Sequence, residues 1–223
     1  MKHQRAIDDV EKTERRQQIL HSAAALFKAA TYDQVSMLEV ARYSGVAKGT
    51  VYLYFQTKEE LFLALIDEAF DHWFTELQQR LTVLPKGDRA SRIAALAVTV
   101  TDSLQQHPLL LRLLPILHPI LEQNIPYPAA REFKQHLRAH LLYTGQRIED
   151  CFAFLRAGQG AELLLSAYAE LIGLQSMAES SEVVGQVLQL PEMAILVIDA
   201  DTALRRLLSR LLMGLYLENR SKG

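Results

Sequence analysis

Residues 35–61 read VSMLEVARYSGVAKGTVYLYFQTKEEL, and the meaning of the chain turns on them. Ser36 stands before an apolar-periodic run with Glu39 three residues on, the pattern of a reciprocal capping box, and Val35 and Val40 are spaced to close a hydrophobic staple. A helix therefore starts at Met37. Its inward face is Val40 and Ala41 with either Met37 or Leu38, and it stops at Ser44-Gly45, where a glycine free to take positive φ turns the chain. Val46 plugs the angle that follows. A second short helix, Ala47 to Tyr54, opens on small and basic residues and closes on aromatics, and Thr57 with Glu60 repeats the capping box for a third helix beginning at Lys58. Two short helices about a glycine turn form the helix-turn-helix unit, whose second helix can enter a DNA major groove.

Working outward, the composition sets limits. The chain has 223 residues, 49% hydrophobic and 22% charged, enough apolar material for a sizeable core and one large or two modest domains. The single cysteine, Cys151, cannot close an internal disulfide and has no zinc-like spacing, which suits a reducing cytoplasm and implies no structural metal. The N-terminal stretch MKHQRAIDDVEKTERRQQ has no apolar leader core, and no apolar run reaches the ~18 residues of a spanning helix, so a soluble, cytoplasmic protein is expected. A net charge of −2 gives no general attraction for nucleic acid. Local placement matters instead: Lys48 and Lys58 both stand at helix starts, where backbone N–H groups already favour a phosphate.

The remainder reads as helix throughout. Residues 1–12 are polar and mixed in charge, a frayed tail or a weak basic arm. A first helix spans about Thr13 to Ala29, with Ile19, Ala23, Leu26 and Phe27 on its stripe. The helix from Lys58 to about Leu81 carries Leu61, Phe62, Leu65 and Ala69 and then Phe70, Trp73, Phe74 and Leu77, and so connects two cores. Asp88 to Gln106 is helical up to His107-Pro108. The apolar stretch after it is bent or broken at Pro115 and Pro119. A long helix follows from Pro128 to about Leu155, Gly158 and Gly160 mark a loop, and Gly160 to Ala178 is a helix in which Ala167, Ala169 and Gly173 admit a partner helix. Glu179 to Pro191 is turn-rich. Asp199 or Asp201 caps a last helix with a broad leucine face. The fold class is all-α, with residues 1–56 a DNA-reading domain, 57–82 a connecting helix and 83–223 a larger helical domain.

The run Tyr32-Asp33, Ser36, Val40-Ala41, Gly45 to Tyr52, Tyr54-Phe55 and Lys58-Glu59-Glu60-Leu61 resembles the DNA-binding domain of the tetracycline-repressor-like (TetR-type) transcriptional regulators, over about the first quarter of the chain. Thr31 stands where the family usually has Gly, and Leu53 where a second Tyr is frequent, which removes one phosphate contact. The resemblance implies that Ala47, Lys48 and Gly49 lie at the DNA and that Lys58 meets a phosphate. Gly49 lets backbone approach the groove, Thr50 offers a hydroxyl and a methyl to a base edge, Tyr54 donates to phosphate, Tyr52 is shared between core and DNA, and Ser36 doubles as cap and phosphate donor.

The same resemblance, with the apolar second domain, implies a homodimer that binds a palindromic operator on double-stranded DNA and is released by a bulky hydrophobic effector; the alternative is an architectural or partner-regulated DNA binder without a small ligand. Trp73, Phe74, Arg112, His118, Glu122, Phe133 and Tyr143 are the expected effector contacts, and Ala167, Leu204, Leu208, Leu211, Leu212 and Leu215 the expected dimer face. No cofactor or metal is expected. His118 and Glu122 lie one turn apart, but no metalloprotease motif, phosphate loop or nucleophile elbow accompanies them, so an enzyme is not expected. The leucine face could suit a membrane surface, yet Asp201 and Glu218 favour a protein interface.

Overall fold

The structure, a computed structural model, describes residues 2–179 and 181–221, with side chains from residue 10 onward. Among them every element is helical: α1 (Lys2–Ala29), α2 (Met37–Tyr43), α3 (Lys48–Tyr54), α4 (Lys58–Thr82), α5 (Arg89–Gln105), α6 (Pro108–Ile116), a π turn (Leu117–Leu121), α7 (Tyr127–Cys151), α8 (Gln159–Ala178), α9 (Glu182–Leu188), a 3-10 turn (Pro191–Leu196) and α10 (Ala200–Ser221). Two compact units form, Met1–Ala69 with Ile116–Gln135, and Phe70–Pro115 with His136–Gly223.

In the first unit the capping box is complete. Ser36 Oγ accepts from the Glu39 N–H at 3.2 Å, and the Glu39 carboxylate takes the Ser36 N–H at 2.9 Å. Those bonds hold the exposed Glu39 carboxyl below its ordinary pKa, the Ser36 side chain contributing most. Met37 faces inward and Leu38 is 41% exposed, which settles the inner face of α2. Gly45 takes φ +67, and the Gln18 side chain donates to the Ser44 carbonyl at 2.7 Å, tying α1 to the turn. Phe62 anchors the core, with Phe27 edge-on at 5.2 Å and Tyr32 at 4.9 Å. At α4 the second cap differs from expectation: Thr57 Oγ1 accepts from Glu60 N–H at 3.0 Å, but the Glu60 carboxylate takes the N–H of Gln56, one residue earlier.

The second unit packs α5, α8 and α10 face to face. Leu96, Val100, Ile148, Leu163, Ala167, Leu208 and Leu212 surround a closed apolar void of about 10 Å³, room for one water. α7 and α8 approach closely backbone to backbone, where a Cβ on Gly145 or on Gly160 would collide with the other helix's main chain. Gly160 is thus a helical residue, and the turn before it is made by Gly158 at φ +91. Gly173, expected to admit a neighbour, has nothing within 4 Å of a built Cβ.

Several boundaries move. α1 begins at Lys2, ahead of Thr13, and α7 ends at Cys151, ahead of Leu155. Asp199 caps α10 by accepting from Thr202 N–H at 2.8 Å. Pro115 sits inside α6, and the Leu111 carbonyl it cannot bond is met by the Gln175 side chain at 3.4 Å. Pro119 falls within the π turn, where the wider spacing tolerates a missing donor.

Candidate nucleic-acid interface

Of the seven residues of α3 only Val51 is buried; the rest point away from the core or skirt its rim. Ala47 is the N-cap and makes no side-chain cap bond. Lys48 and Gly49 are exposed, and nothing lies within 4 Å of a Cβ built on Gly49, so packing within the chain does not require a glycine there. Lys48 Nζ rests 5.7 Å from the Tyr52 ring centre, and Tyr52 is 42% exposed. Thr50 and Tyr54 are half-buried. Leu53 is 83% exposed, one turn beyond Gly49 and Thr50 on the same helix face. Sequence reasoning counted Leu53 only as a lost phosphate contact; the available signal was an apolar residue at i+3 and i+4 from residues already assigned to DNA.

Two expected contacts are engaged inside the chain. The Ser36 hydroxyl donates to Glu39 at 2.8 Å besides capping α2. Lys58 Nζ donates to the Tyr32 carbonyl and lies 3.8 Å from the Tyr32 ring centre, while the Tyr32 hydroxyl donates to Glu59 at 3.0 Å. Burial lowers the Lys58 pKa against the opposing pull of Asp33 and Glu59, and burial followed by the Glu59 hydrogen bond raises that of Tyr32. To reach a phosphate Lys58 therefore has to leave a close cation–π contact and a carbonyl hydrogen bond, whereas exposed Lys48 leaves a looser contact with the Tyr52 ring.

The seven expected effector contacts divide between the units. In the second, Trp73 is 7% exposed with its indole N–H on Ser103 Oγ at 3.0 Å, and Phe74 is 1% exposed beneath the stacked ring of His140. Arg112 and Tyr143 face solvent. In the first, Phe133 is buried, whereas His118 meets Glu122 at 3.1 Å and Lys134 Nζ takes the other Glu122 oxygen at 2.6 Å. Burial works against Glu122 ionisation, and the bonds from Lys134 and His118 outweigh it, leaving its pKa lowered. Trp73, Phe74 and Phe133 are thus core residues, and Arg112, His118, Glu122 and Tyr143 lie at or near the surface, so within each unit they do not converge. Gln175 was missed: its side-chain oxygen is buried without a hydrogen-bond partner.

Of the expected dimer residues, Leu204, Leu208 and Leu212 are at most 2% exposed and pack within the chain's own second unit, as does Ala167. The leucine face of α10 is broad: Leu204, Leu208 and Leu212 are buried on it, while Leu211 is 37% exposed at its rim and Leu215 is half-buried. Among the described residues no group of His, Cys, Asp or Glu is placed to hold a metal, and no helix is long and apolar enough to cross a membrane.

An all-helical chain with an outward-facing second helix of a helix-turn-helix is a DNA-binding regulator by architecture. Residues 19–65 match the family described as bacterial regulatory proteins, tetR family, and residues 67–219 match the tetracyclin repressor-like C-terminal domain. The chain belongs to the TetR family of transcriptional regulators. Among curated relatives, the fatty acid metabolism regulator protein of Bacillus subtilis is 31% identical over 62 residues, 28% of this chain and 32% of that one. The HTH-type transcriptional repressor KstR of Rhodococcus jostii is 31% identical over 97 residues, 44% of each chain. The chain spans only a quarter to a third of the length of the first curated relatives it matches. Among solved structures, FadR from Bacillus subtilis in complex with stearoyl-CoA shares the fold at TM-score 0.51 and 16% identity, covering 86% of this chain and 97% of that one.

Proposed function

We propose that the protein is a homodimeric repressor that binds a palindromic operator and is released by a bulky hydrophobic effector. The observation that carries the DNA half is α3, where Lys48, Gly49 and Leu53 present an exposed cation, a gap and an exposed apolar side chain. Lys48 and Lys58 neutralise phosphates, Thr50 and Leu53 meet base edges, Gly49 admits the backbone, and Tyr52, Tyr54, Ala47 and Ser36 line the approach. Residues 1–56 form the DNA-reading domain, 57–82 the connecting helix and 83–223 the effector and dimer domain.

A seven-residue helix contacts too few base pairs for high specificity, and a two-fold dimer reading half-sites about 34 Å apart multiplies its reach. The dimer face is the outward side of α8 and α10, where Leu165 and Met177 are 50% and 66% exposed and Leu211 is 37% exposed. Burying such stripes against their symmetry mates is how helical dimers form.

Effector release is supported by the apolar second unit, by the orphan Gln175 oxygen beside α6, and by the stearoyl-CoA in the FadR structure. A void of about 10 Å³ does not admit a bulky ligand, so binding parts the helices and disturbs α4. Trp73 is the single tryptophan and is buried in this unit, which makes its fluorescence the natural reporter. The test is titration with long-chain acyl-CoA and a hydrophobic library, read by Trp73 emission and by release from DNA. A compound that shifts emission and releases DNA supports the proposal; emission shifts without release in any case favour the partner-regulated alternative.

A further inference from the structure

Where α6 meets α8 in the second unit, the chain is short of one hydrogen-bond donor. Pro115 has no N–H, so the Leu111 carbonyl four residues earlier loses its partner in the helical ladder. The Gln175 side-chain N–H of α8 donates to that carbonyl at 3.4 Å, and the Gln175 side-chain oxygen is left buried with no hydrogen-bond partner. The buried residues nearby in sequence are leucines: Leu110 and Leu114 on α6 are at most 2% exposed, and Leu171, one turn before Gln175 on α8, is 5% exposed. An amide oxygen at such a place has lost its hydration and gained no bond, which an apolar side chain of the same volume avoids. A bound donor would therefore gain more here than at a group already satisfied.

The chemistry of the gap narrows what fills it. Two oxygens, those of Leu111 and Gln175, are served by one amide nitrogen, so the group that completes the set is a donor. An ionised carboxylate offers only acceptors and is repelled. An ammonium donates, but burying its charge needs an anion beside it. The one charged residue of α6 is Arg112, a cation adjacent in sequence to Leu111, and the acidic residues that flank Gln175 in sequence, Glu170 and Glu179, are exposed. A neutral hydroxyl or amide N–H is what remains.

We infer that Gln175 is the polar anchor of the effector site, and that the effector is an uncharged, mainly apolar molecule whose hydroxyl or amide N–H donates to the Gln175 side-chain oxygen. The inference rests on the effector reading above and adds the chemistry of the effector's polar end. The apolar body lies along the leucines of α6 and α8 once these helices part, and the donor fixes which end points at Gln175.

The experiment titrates the full-length protein with two isomers, n-decanol and nonyl methyl ether, which differ in whether the oxygen carries a hydrogen. Trp73 emission and release from DNA are the readouts. The ether is the more hydrophobic isomer, so apolar burial alone ranks it first. The parent instead binds the alcohol at least tenfold more tightly. Gln175→Met keeps the volume, removes the oxygen and brings the two isomers within twofold, chiefly by weakening the alcohol. Gln175→Asn withdraws the amide by one methylene and has the same effect, which decides the matter if the methionine variant does not fold. Decanoate and decylammonium bind the parent more weakly than the alcohol does.

If the parent does not prefer the alcohol, or a folded Gln175 variant keeps the preference, water fills the gap and the inference is overturned; the effector reading stands as long as another hydrophobic compound shifts emission and releases DNA. Tighter binding of decanoate or decylammonium than of the alcohol assigns a charged end and overturns the inference too. If neither these compounds nor the hydrophobic library changes emission or releases DNA, the effector reading fails and the inference fails with it.

Discussion

Replacing Gly160 by Ala adds one methyl where the backbones of α7 and α8 meet closely. The new Cβ overlaps the Gly145 carbonyl oxygen and stands 2.6 Å from the Gly145 carbonyl carbon and 2.8 Å from its Cα, against ordinary contact at 3.4–4 Å. Every one of these atoms is backbone, so no rotamer change relieves the clash, and α7 and α8 separate by about 1 Å or distort. Overpacking of this kind costs ~1–3 kcal/mol, and the rigid neighbours place this site at the upper end. The helix-propensity gain of Ala over Gly is at most ~1 kcal/mol and smaller in a first turn, leaving a net loss of about 2–3 kcal/mol. At ~2–4 °C per kcal/mol for a chain of this size, the melting temperature falls by roughly 5–10 °C. Thermal unfolding followed by circular dichroism at matched protein concentration reads it. Gly145→Ala meets the same crossing from the other side, 2.9 Å from Ala161 Cα, so the double variant costs less than the sum of the two singles by about 1 kcal/mol or more. A Gly160→Ala variant that melts within ~1 °C of the parent, or strict additivity in the double, refutes the reasoning.

Leu208→Ala enlarges a void that is already present, so neighbours collapse poorly and stability drops by about 3–5 kcal/mol in denaturant titration, with dimerisation affected only through folding. Leu53→Ala changes stability by less than ~0.5 kcal/mol, since the side chain is 83% exposed, but relaxes base preference at one position of each half-site by about 1 kcal/mol in a mutated-operator series. Glu76 is opposed by burial, yet its bonds from His107 and Arg80 hold its pKa below the ordinary 4.5. A lowered carboxylate contributes stability that is present above its unfolded pKa and is lost as pH falls through the folded value, so parent and Glu76→Gln differ in melting temperature at pH 7 and the difference shrinks as pH falls below 4.5 and through the lowered folded value.

The helix-turn-helix was legible because each of its signals is local. Ser36 and Glu39 are three residues apart, Gly45 sits in its own turn, and the cap and the positive φ are both present in the structure. The second unit was legible as helices and not as surfaces. Leu204, Leu208, Leu211 and Leu212 look alike in a one-dimensional pattern, and only the positions of α5 and α8 decide which of them are buried. Trp73 read as a ligand group from its chemistry, and its partner Ser103, thirty residues away, is one that periodicity does not pair with it, whereas the His118–Glu122 pair, one turn apart, was legible in the sequence. The Gly145–Gly160 crossing joins positions whose proximity depends on how α7 and α8 meet, and Gly160 alone suggested a loop. α9 was missed because a seven-residue helix with no buried face has no stripe to read.

The central claim is that a two-fold pair of α3 helices reads DNA, and selection of bound duplexes from a random-sequence pool by the purified full-length chain tests it most directly. The account predicts an enriched palindrome with half-site centres about 10 bp or a multiple apart, bound by two chains per duplex. Lys48→Ala should bind the same sequence more weakly and lower the slope of log affinity against log salt by about one unit per half-site. A pool that enriches no sequence, an asymmetric site bound by one chain, or a Lys48→Ala variant with unchanged affinity and salt slope would contradict it.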